Sequence, residues 1–353
     1  IPEKIAVRQL KKLRKRIYAR IDAYGIVLVS GKGKRKTPIQ RLSEWIDQCL
    51  AKLKQYTKDI HICGNRNSFS KTDHDATFMH MKEDYMRNGQ LKPGYNVNVA
   101  TCSDFIIGSY ISSDRNDVHT LIPFMEQLRK NYAGRNIGSV VVDSGYESEE
   151  NYCWFEAHPE TELYVKPSNH EAVKHRKYRT DISRRENMAY DAQTDTYTCA
   201  NGKLLQRTQE KKMHTASGLE IATSVYECNE CDGCPLKEKC IRACGSKKPL
   251  EERYKVIYVS KRFARQRQAM EAKISSPKGC LLRVNRSIQA EGNFAYVKQD
   301  LDFRRFLLRG NMKVAAEWLL FSLALNILHL HHKIQNRRLG SDLKIPSSFP
   351  AGL

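Results

Sequence analysis

The stretch VVVDSGYESEENY, Val140–Tyr152, governs how the rest of this chain is read. Its valines complete Ile137–Val142, a short and almost wholly apolar run of the kind that forms a buried central strand. The run stops on Asp143 and passes at once into Ser-Gly-Tyr, after which Glu147–Ala157 reads as a helix. An aspartate before glycine is a common turn residue. It is also what a ligand-binding strand end needs, because ligands of open α/β sheets sit outside the carboxyl ends of the strands. A carboxylate there suits Mg²⁺, which takes oxygen donors and uses one or two protein carboxylates. Asp143 alone does not separate the two readings.

Working outward, Tyr95–Ser113 (YNVNVATCSDFIIGSYISS) alternates with period two and predicts two strands around a turn near Ser103-Asp104. Asp117–Tyr132 predicts a helix with Leu121, Phe124, Met125 and Leu128 on one face. Glu162–Lys166 predicts a further strand. Hairpin, helix, strand, helix, strand is the order of an α/β layer with a mixed sheet. Residues 3–23 predict a basic amphipathic helix and residues 39–57 a second helix. Between them, residues 25–38 hold a short apolar run and a Gly/Lys loop without the spacing of a P-loop. Residues 61–75 read as a polar loop. Val259–Ile274, Arg286–Lys298 and Val314–Lys333 read as helices. The domain reading is a basic helical segment (1–60), a core in two parts (61–168 and 256–336), a polar cysteine-rich insertion (169–255) and a tail (337–353).

The 353 residues carry 60 Lys+Arg against 39 Asp+Glu, a formal net charge of +21. Such an excess attracts polyanions over long range, and double-stranded DNA is the partner expected. A merely basic protein is the plain alternative. The Lys/Arg runs at 11–16 and 32–36 read as solvated and available to phosphate. No run reaches the ~18 consecutive apolar residues of a membrane span. The most apolar one, Trp318–Leu330, is interrupted by Ser322, Asn326 and His329, so no membrane partner is expected. No secretory signal is visible, and eleven cysteines without one point to a reducing, cytoplasmic setting rather than a disulfide framework.

In YECNECDGCPLKEKCIRACG, Cys228, Cys231, Cys234 and Cys240 follow C-x2-C-x2-C-x5-C, with Cys244 four residues on. Four thiolates so close suit structural Zn²⁺. An iron–sulfur cluster is the alternative, but the proline follows the third cysteine and the last spacing is long, which favours zinc. The other six cysteines are scattered and read as buried and inert. A second acid, Glu291, lies between Arg286 and Lys298 over about three and a half helical turns. Its plain reading is a surface salt-bridge helix; a buried glutamate would need a partner or a metal. Glu317 is flanked by apolar residues and reads as either a support for these acids or a helix-interior salt bridge. His329, His331 and His332 read as a basic helix end.

Three stretches together resemble the DDE transposases of bacterial insertion sequences: Lys71–Ala100, Val140–Tyr152 and Arg286–Leu330. The resemblance spans about residues 60–335. It implies an RNase H-like mixed sheet with flanking helices and a Cys-rich insertion. It also implies Asp143 as the second and Glu291 as the third acid of a triad, with Arg286 and Lys298 as DNA-contacting flanks. The activity implied is DNA cleavage and strand transfer with Mg²⁺ or Mn²⁺, of the two-metal type, by a homo-oligomer on DNA. The family's first aspartate stands in an Asp-Gly-Thr-like motif, and nothing before residue 60 matches it. Asp22 lies on a helix, and Asp73 and Asp75 lie elsewhere in the family's pattern. The resemblance therefore implies that residues 1–60 follow the first strand, so that the chain binds DNA and lacks one acid for cutting. A catalytically dead DNA-binding remnant of a decayed element is the alternative.

Overall fold

The structure, a computed structural model, describes residues 7–81, 87–215, 217–242, 248–340 and 343. The chain divides into two compact units, Ile1–Tyr95 and Asn96–Leu353. In the first, α1 (Val7–Ala23) and α2 (Pro38–Cys63) pack through Ile17, Ile21 and Ile46, with Ile26, Ile39 and Leu50 around them. The α2 helix starts where Thr37 accepts from the Gln40 N–H and Pro38 takes the first turn. It runs beyond the expected residue 57 because no breaker occurs before Gly64, whose φ of 57° closes it. The basic run at 11–16 is solvent-exposed along α1. In the loop after α2, Arg66 donates to the carbonyls of Ile62, His74 and Asp75. Short strands β1 (Thr77–Met79) and β2 (Lys92–Gly94) pair antiparallel.

In the second unit, β3 (Asn96–Cys102) and β4 (Phe105–Ser112) form the expected hairpin. Ser103 and Asp104 both have positive φ (54° and 72°), as a two-residue turn with the twist of the strands requires. There follow α3 (Leu121–Asn131), β5 (Ser139–Val142), α4 (Glu149–Glu156) and β6 (Glu162–Val165), the last parallel to β5. Leu121, Phe124, Met125 and Leu128 point into the core, against Tyr152, Phe155, Leu163 and Val165. Ser148 accepts from the Asn151 N–H, and Glu149 and Glu150 place negative charge at the N-terminus of α4.

The expected single mixed sheet is instead two pairs, β3–β4 and β5–β6, with no ladder joining them among the described residues. Val140–Val142 are accordingly half-buried rather than enclosed. Side chains, not a ladder, connect the β3 and β5 regions. Buried Asn98 of β3 accepts from Thr120 Oγ1 at 2.8 Å and from the Tyr146 hydroxyl beyond β5.

The polar stretch after β6 builds a sheet of its own. After a short helix, α5 (Arg176–Arg179), come β7 (Ala189–Asp191), β8 (Thr196–Thr198), β9 (Leu204–His214) and β10 (Glu220–Cys228). The turn α6 (Lys237–Cys240) leads to β11 (Lys255–Val259), and the order is β11-β10-β9-β8-β7, all antiparallel. One face closes over Tyr197, Leu205, Tyr226, Ile257 and Val259. Its longest strand, β9, buries only Leu205, which is why its composition reads as loop.

The chain then returns through α7 (Lys261–Ser275) and α8 (Pro277–Arg286), a short α9 (Gly292–Ala295) and α10 (Asn311–Gln335). The α7–α8 corner needs Gly279: a Cβ there would lie 2.3 Å from the Lys273 carbonyl oxygen and 2.7 Å from Ile274 Cα. Both are backbone atoms that cannot step aside. Gly279→Ala is expected to destabilise the fold by about 1–3 kcal/mol, read as a lower thermal midpoint. An unchanged midpoint would show that the corner opens freely.

The α10 helix packs Val314, Trp318, Ser322 and Leu325 inward against β4, and Asn326 exchanges two 2.8 Å hydrogen bonds with the backbone of Ile106. Glu317 meets neither expectation: its carboxylate accepts from the backbone N–H groups of Leu307 and Leu308. His329 Nε2 pairs with Asn293 Oδ1 at 2.8 Å. By length and composition, though not by unbroken apolar count, α10 is long and apolar enough to cross a membrane.

Candidate active site

Asp143 is the residue on which β5 ends. Its Oδ1 accepts from the Gly145 N–H at 2.8 Å, so the side chain does make the turn that its sequence context suggests. The turn does not use the second oxygen. A Cβ on Gly145 would lie 3.0 Å from Asp143 Oδ1 and 3.0 Å from Asp117 Oδ2. These two oxygens both lie beside Gly145 and are no further apart than twice that distance. Asp117 opens a short 3₁₀ turn before α3, and its Oδ1 accepts from Asn96 Nδ2 of β3 at 2.6 Å. Tyr146 sits beside both acids. Burial, then Asp117 and Asp143, push its hydroxyl far above the ordinary range, against the pull of Arg286.

Glu291 ends a π-helical turn, Ser287–Glu291, that continues α8. Such turns are rare and concentrate at functional sites. Arg286 Nη2 donates to Glu291 Oε1 at 2.8 Å and Ser287 Oγ to Oε2 at 2.9 Å, while the glutamate side chain stays 61% exposed. The helix α8 packs on β5, and the π turn packs on β3. Arg286 is bonded to Glu291, and its charge lowers the Tyr146 hydroxyl slightly against the larger upward push of burial, Asp117 and Asp143. Lys298 lies on a second π turn, Tyr296–Asp300, exposed, with its ammonium 5.9 Å from the Phe294 ring. The helix expected over Arg286–Lys298 is present as one continuous helical run from Pro277 to Asp300, with two π turns set within it.

Among the described residues, no three His, Cys, Asp or Glu side chains are grouped to hold a metal ion. Mg²⁺ nevertheless needs only one or two carboxylates, with substrate phosphate and water completing its shell. The Asp143–Asp117 pair fits that demand.

The four cysteines of the expected zinc set carry free thiols, and no group of three or more metal-ligating side chains is found among the described residues. Cys228 and Cys231 are buried in the core of the five-stranded sheet. Cys231 Sγ donates to the Cys228 carbonyl at 3.4 Å and accepts from the Lys255 N–H at 3.3 Å. Burial pushes the Cys228 thiol up to about 11 and the Cys240 thiol upward as well, with the neighbouring cysteines adding to the shift. Cys234 and Cys240 are half-buried, and Cys244 lies outside the described residues. Cys199, set aside as scattered, packs on the same core, at the hairpin where its N–H reaches the Lys203 carbonyl. Its signal was the Cys-Ala-Asn-Gly turn. Asp117 was also missed; its signal was an Asn-Asp pair just after a strand.

Residues 198–331 match the family model of the transposase DDE domain. That stretch, which includes Glu291 and most of α10, is similar to a transposase DDE domain. Asp143 lies ahead of the match. The family acts on DNA and generally uses a divalent metal. No curated protein and no solved structure matches the chain.

Proposed function

We propose that this chain is the transposase of an insertion sequence, cutting double-stranded DNA and transferring strands through an RNase H-like core. The observation that carries this is the end of β5, where Asp143 and Asp117 converge and Arg286 ties in Glu291. Asp143 and Asp117 would hold Mg²⁺ or Mn²⁺, which supplies charge neutralisation at a phosphate and a more acidic attacking hydroxyl. The chain's own groups fix the acids. The Gly145 N–H orients Asp143, Asn96 orients Asp117, and the neutral Tyr146 hydroxyl holds Asn98. Arg286 holds Glu291 by a hydrogen bond, Lys298 meets the DNA backbone, and in the other unit the exposed run at 11–16 offers phosphate contacts of its own. A homo-oligomer on DNA belongs to this reading.

The second reading, a DNA-binding remnant without chemistry, draws on the lack of a three-acid group among the described residues. Supercoiled plasmid in Mg²⁺ or Mn²⁺ separates the two. Nicking that disappears in Glu291→Gln supports the enzyme; binding with no nicking by the unaltered chain supports the remnant. Both readings predict salt-dependent binding. With six or more phosphates neutralised, affinity is expected to fall at least ~10³-fold between about 50 and 200 mM salt, measured by fluorescence anisotropy. A flat salt response would remove DNA as the partner.

A further inference from the structure

The α10 helix is apolar on both sides, and only one side is covered. On the open side, Leu320 is 70% exposed, Leu323 59%, Ile327 61%, Leu330 44% and Ile334 54%. With exposed Ala316 they step by four, three, four, three and four residues, the a/d spacing of a heptad repeat. The face turned onto β4 carries Val314, Trp318, Ser322 and Leu325, which fall at b, c and f of the same repeat. The seam therefore points directly away from the body of its own unit. A helix apolar all round is normally buried. Together with Leu319 and Met312, the open side amounts to on the order of 800 Å² of apolar surface, above the ~300–600 Å² of the largest patch on a typical monomer.

We propose that this seam is a self-association interface, in which the α10 helices of two copies of the chain pair as a two-stranded coil. Three observations select a second copy as the occupant. Ile327 and Ile334 fall at a, and Leu323 and Leu330 at d, the assignment that favours two strands. The exposed area is about the ~800 Å² that each partner of a standard complex buries. Charge also selects this strip. A chain of net charge +21 repels its copy over most of its surface, yet the open face from Ala316 to Leu330 carries no charged residue. The one charged residue of that part of α10, Glu317, is turned inward onto the backbone of Leu307 and Leu308, and beyond it Lys333 lies 3.6 Å from Asp104. Beside the N-terminal half of the seam, a groove of about 670 Å³ lined by Leu307, Leu308, Leu320 and Phe321 can receive side chains of the facing helix.

The inference gives a surface to the homo-oligomer of the proposed function, but it is read without DNA, and it is tested without DNA. Sedimentation velocity of the full chain, up to about 50 µM, is compared with the double variant Leu323→Glu/Ile327→Glu. Both positions are exposed, so circular dichroism and the thermal midpoint should not move. The expected result is a concentration-dependent dimer that weakens at least ~100-fold in the variant, with unchanged salt-dependent DNA binding by the variant monomer. An unaltered chain that stays monomeric at the highest concentration overturns the proposal. So does a dimer that persists in the double variant. Flotation of a monomeric chain with phosphatidylcholine vesicles, lost in the variant, would assign the face to a membrane instead and equally overturn it.

Discussion

Asp143→Asn is expected to slow metal-dependent DNA cleavage by on the order of 10³-fold, the rate equivalent of the several kcal/mol of charge stabilisation that a bound metal supplies. The substitution isolates charge from structure. Asparagine retains the oxygen that accepts from the Gly145 N–H, so the turn after β5 survives. The thermal midpoint and DNA affinity should therefore stay at their unaltered values while single-turnover cleavage falls. Asp117→Asn should cost less, about 10–100-fold, because Asn96 still orients the residue and Asp143 remains. Cleavage at full rate in Asp143→Asn would remove this strand end from the chemistry. A collapse of stability together with activity would show that Asp143 matters as a turn.

The largest effect on stability is expected at Glu147 and Arg267. The Glu147 side chain is 1% exposed and takes two 2.8 Å hydrogen bonds from Arg267, a third from the Ser168 N–H at 2.7 Å and a fourth from the Tyr152 hydroxyl at 3.1 Å. The guanidinium lies 4.6 Å from the Phe263 ring. This pair joins α7 to the turn that follows Asp143. Arg267→Met strands the carboxylate in the interior and should cost about 3–5 kcal/mol, whereas Arg267→Met with Glu147→Gln should recover part of that loss. Urea denaturation of the two single variants and the double variant measures the coupling.

The same pair has a signed pH dependence. Burial by itself would raise the Glu147 carboxyl, but Arg267 and the Ser168 N–H outweigh it and hold the group below the usual range. A depressed folded value contributes its full stability above the unfolded pKa of about 4.3. That contribution disappears as pH falls through the lowered value. The gap between the unaltered chain and Arg267→Met should therefore be widest near neutrality and close in acid. A gap that widens in acid would contradict the assignment.

Several of these features are legible in the residues alone. The face Leu121, Phe124, Met125, Leu128 follows helical spacing, and those four side chains form the core of α3. Ser103-Asp104 between two alternating runs marks the hairpin, because only turn residues tolerate positive φ there. Asp143 ends its strand for a different local reason: its side chain accepts from the Gly145 N–H and makes the turn. The five-stranded sheet was hidden because β9 buries a single residue, and a strand that faces solvent leaves no apolar alternation to find. The π turns that continue α8 were hidden because about one extra residue per turn leaves composition unchanged.

The sequence by itself determined the α/β order, the basic charge, the strand ending on Asp143 and the acid between Arg286 and Lys298. Periodicity and turn chemistry are set within a few residues of backbone, and they survive in any environment. Tertiary structure alone decided that Asp117 lies near Asp143, that Arg286 pairs with Glu291, that Cys231 hydrogen-bonds to the Cys228 carbonyl and the Lys255 N–H, and that α10 turns a heptad seam outward. Each of these depends on the direction of a side chain across a packed interface between distant segments. Spacing along the chain says how near two residues are in sequence, and packing says whether their atoms face each other.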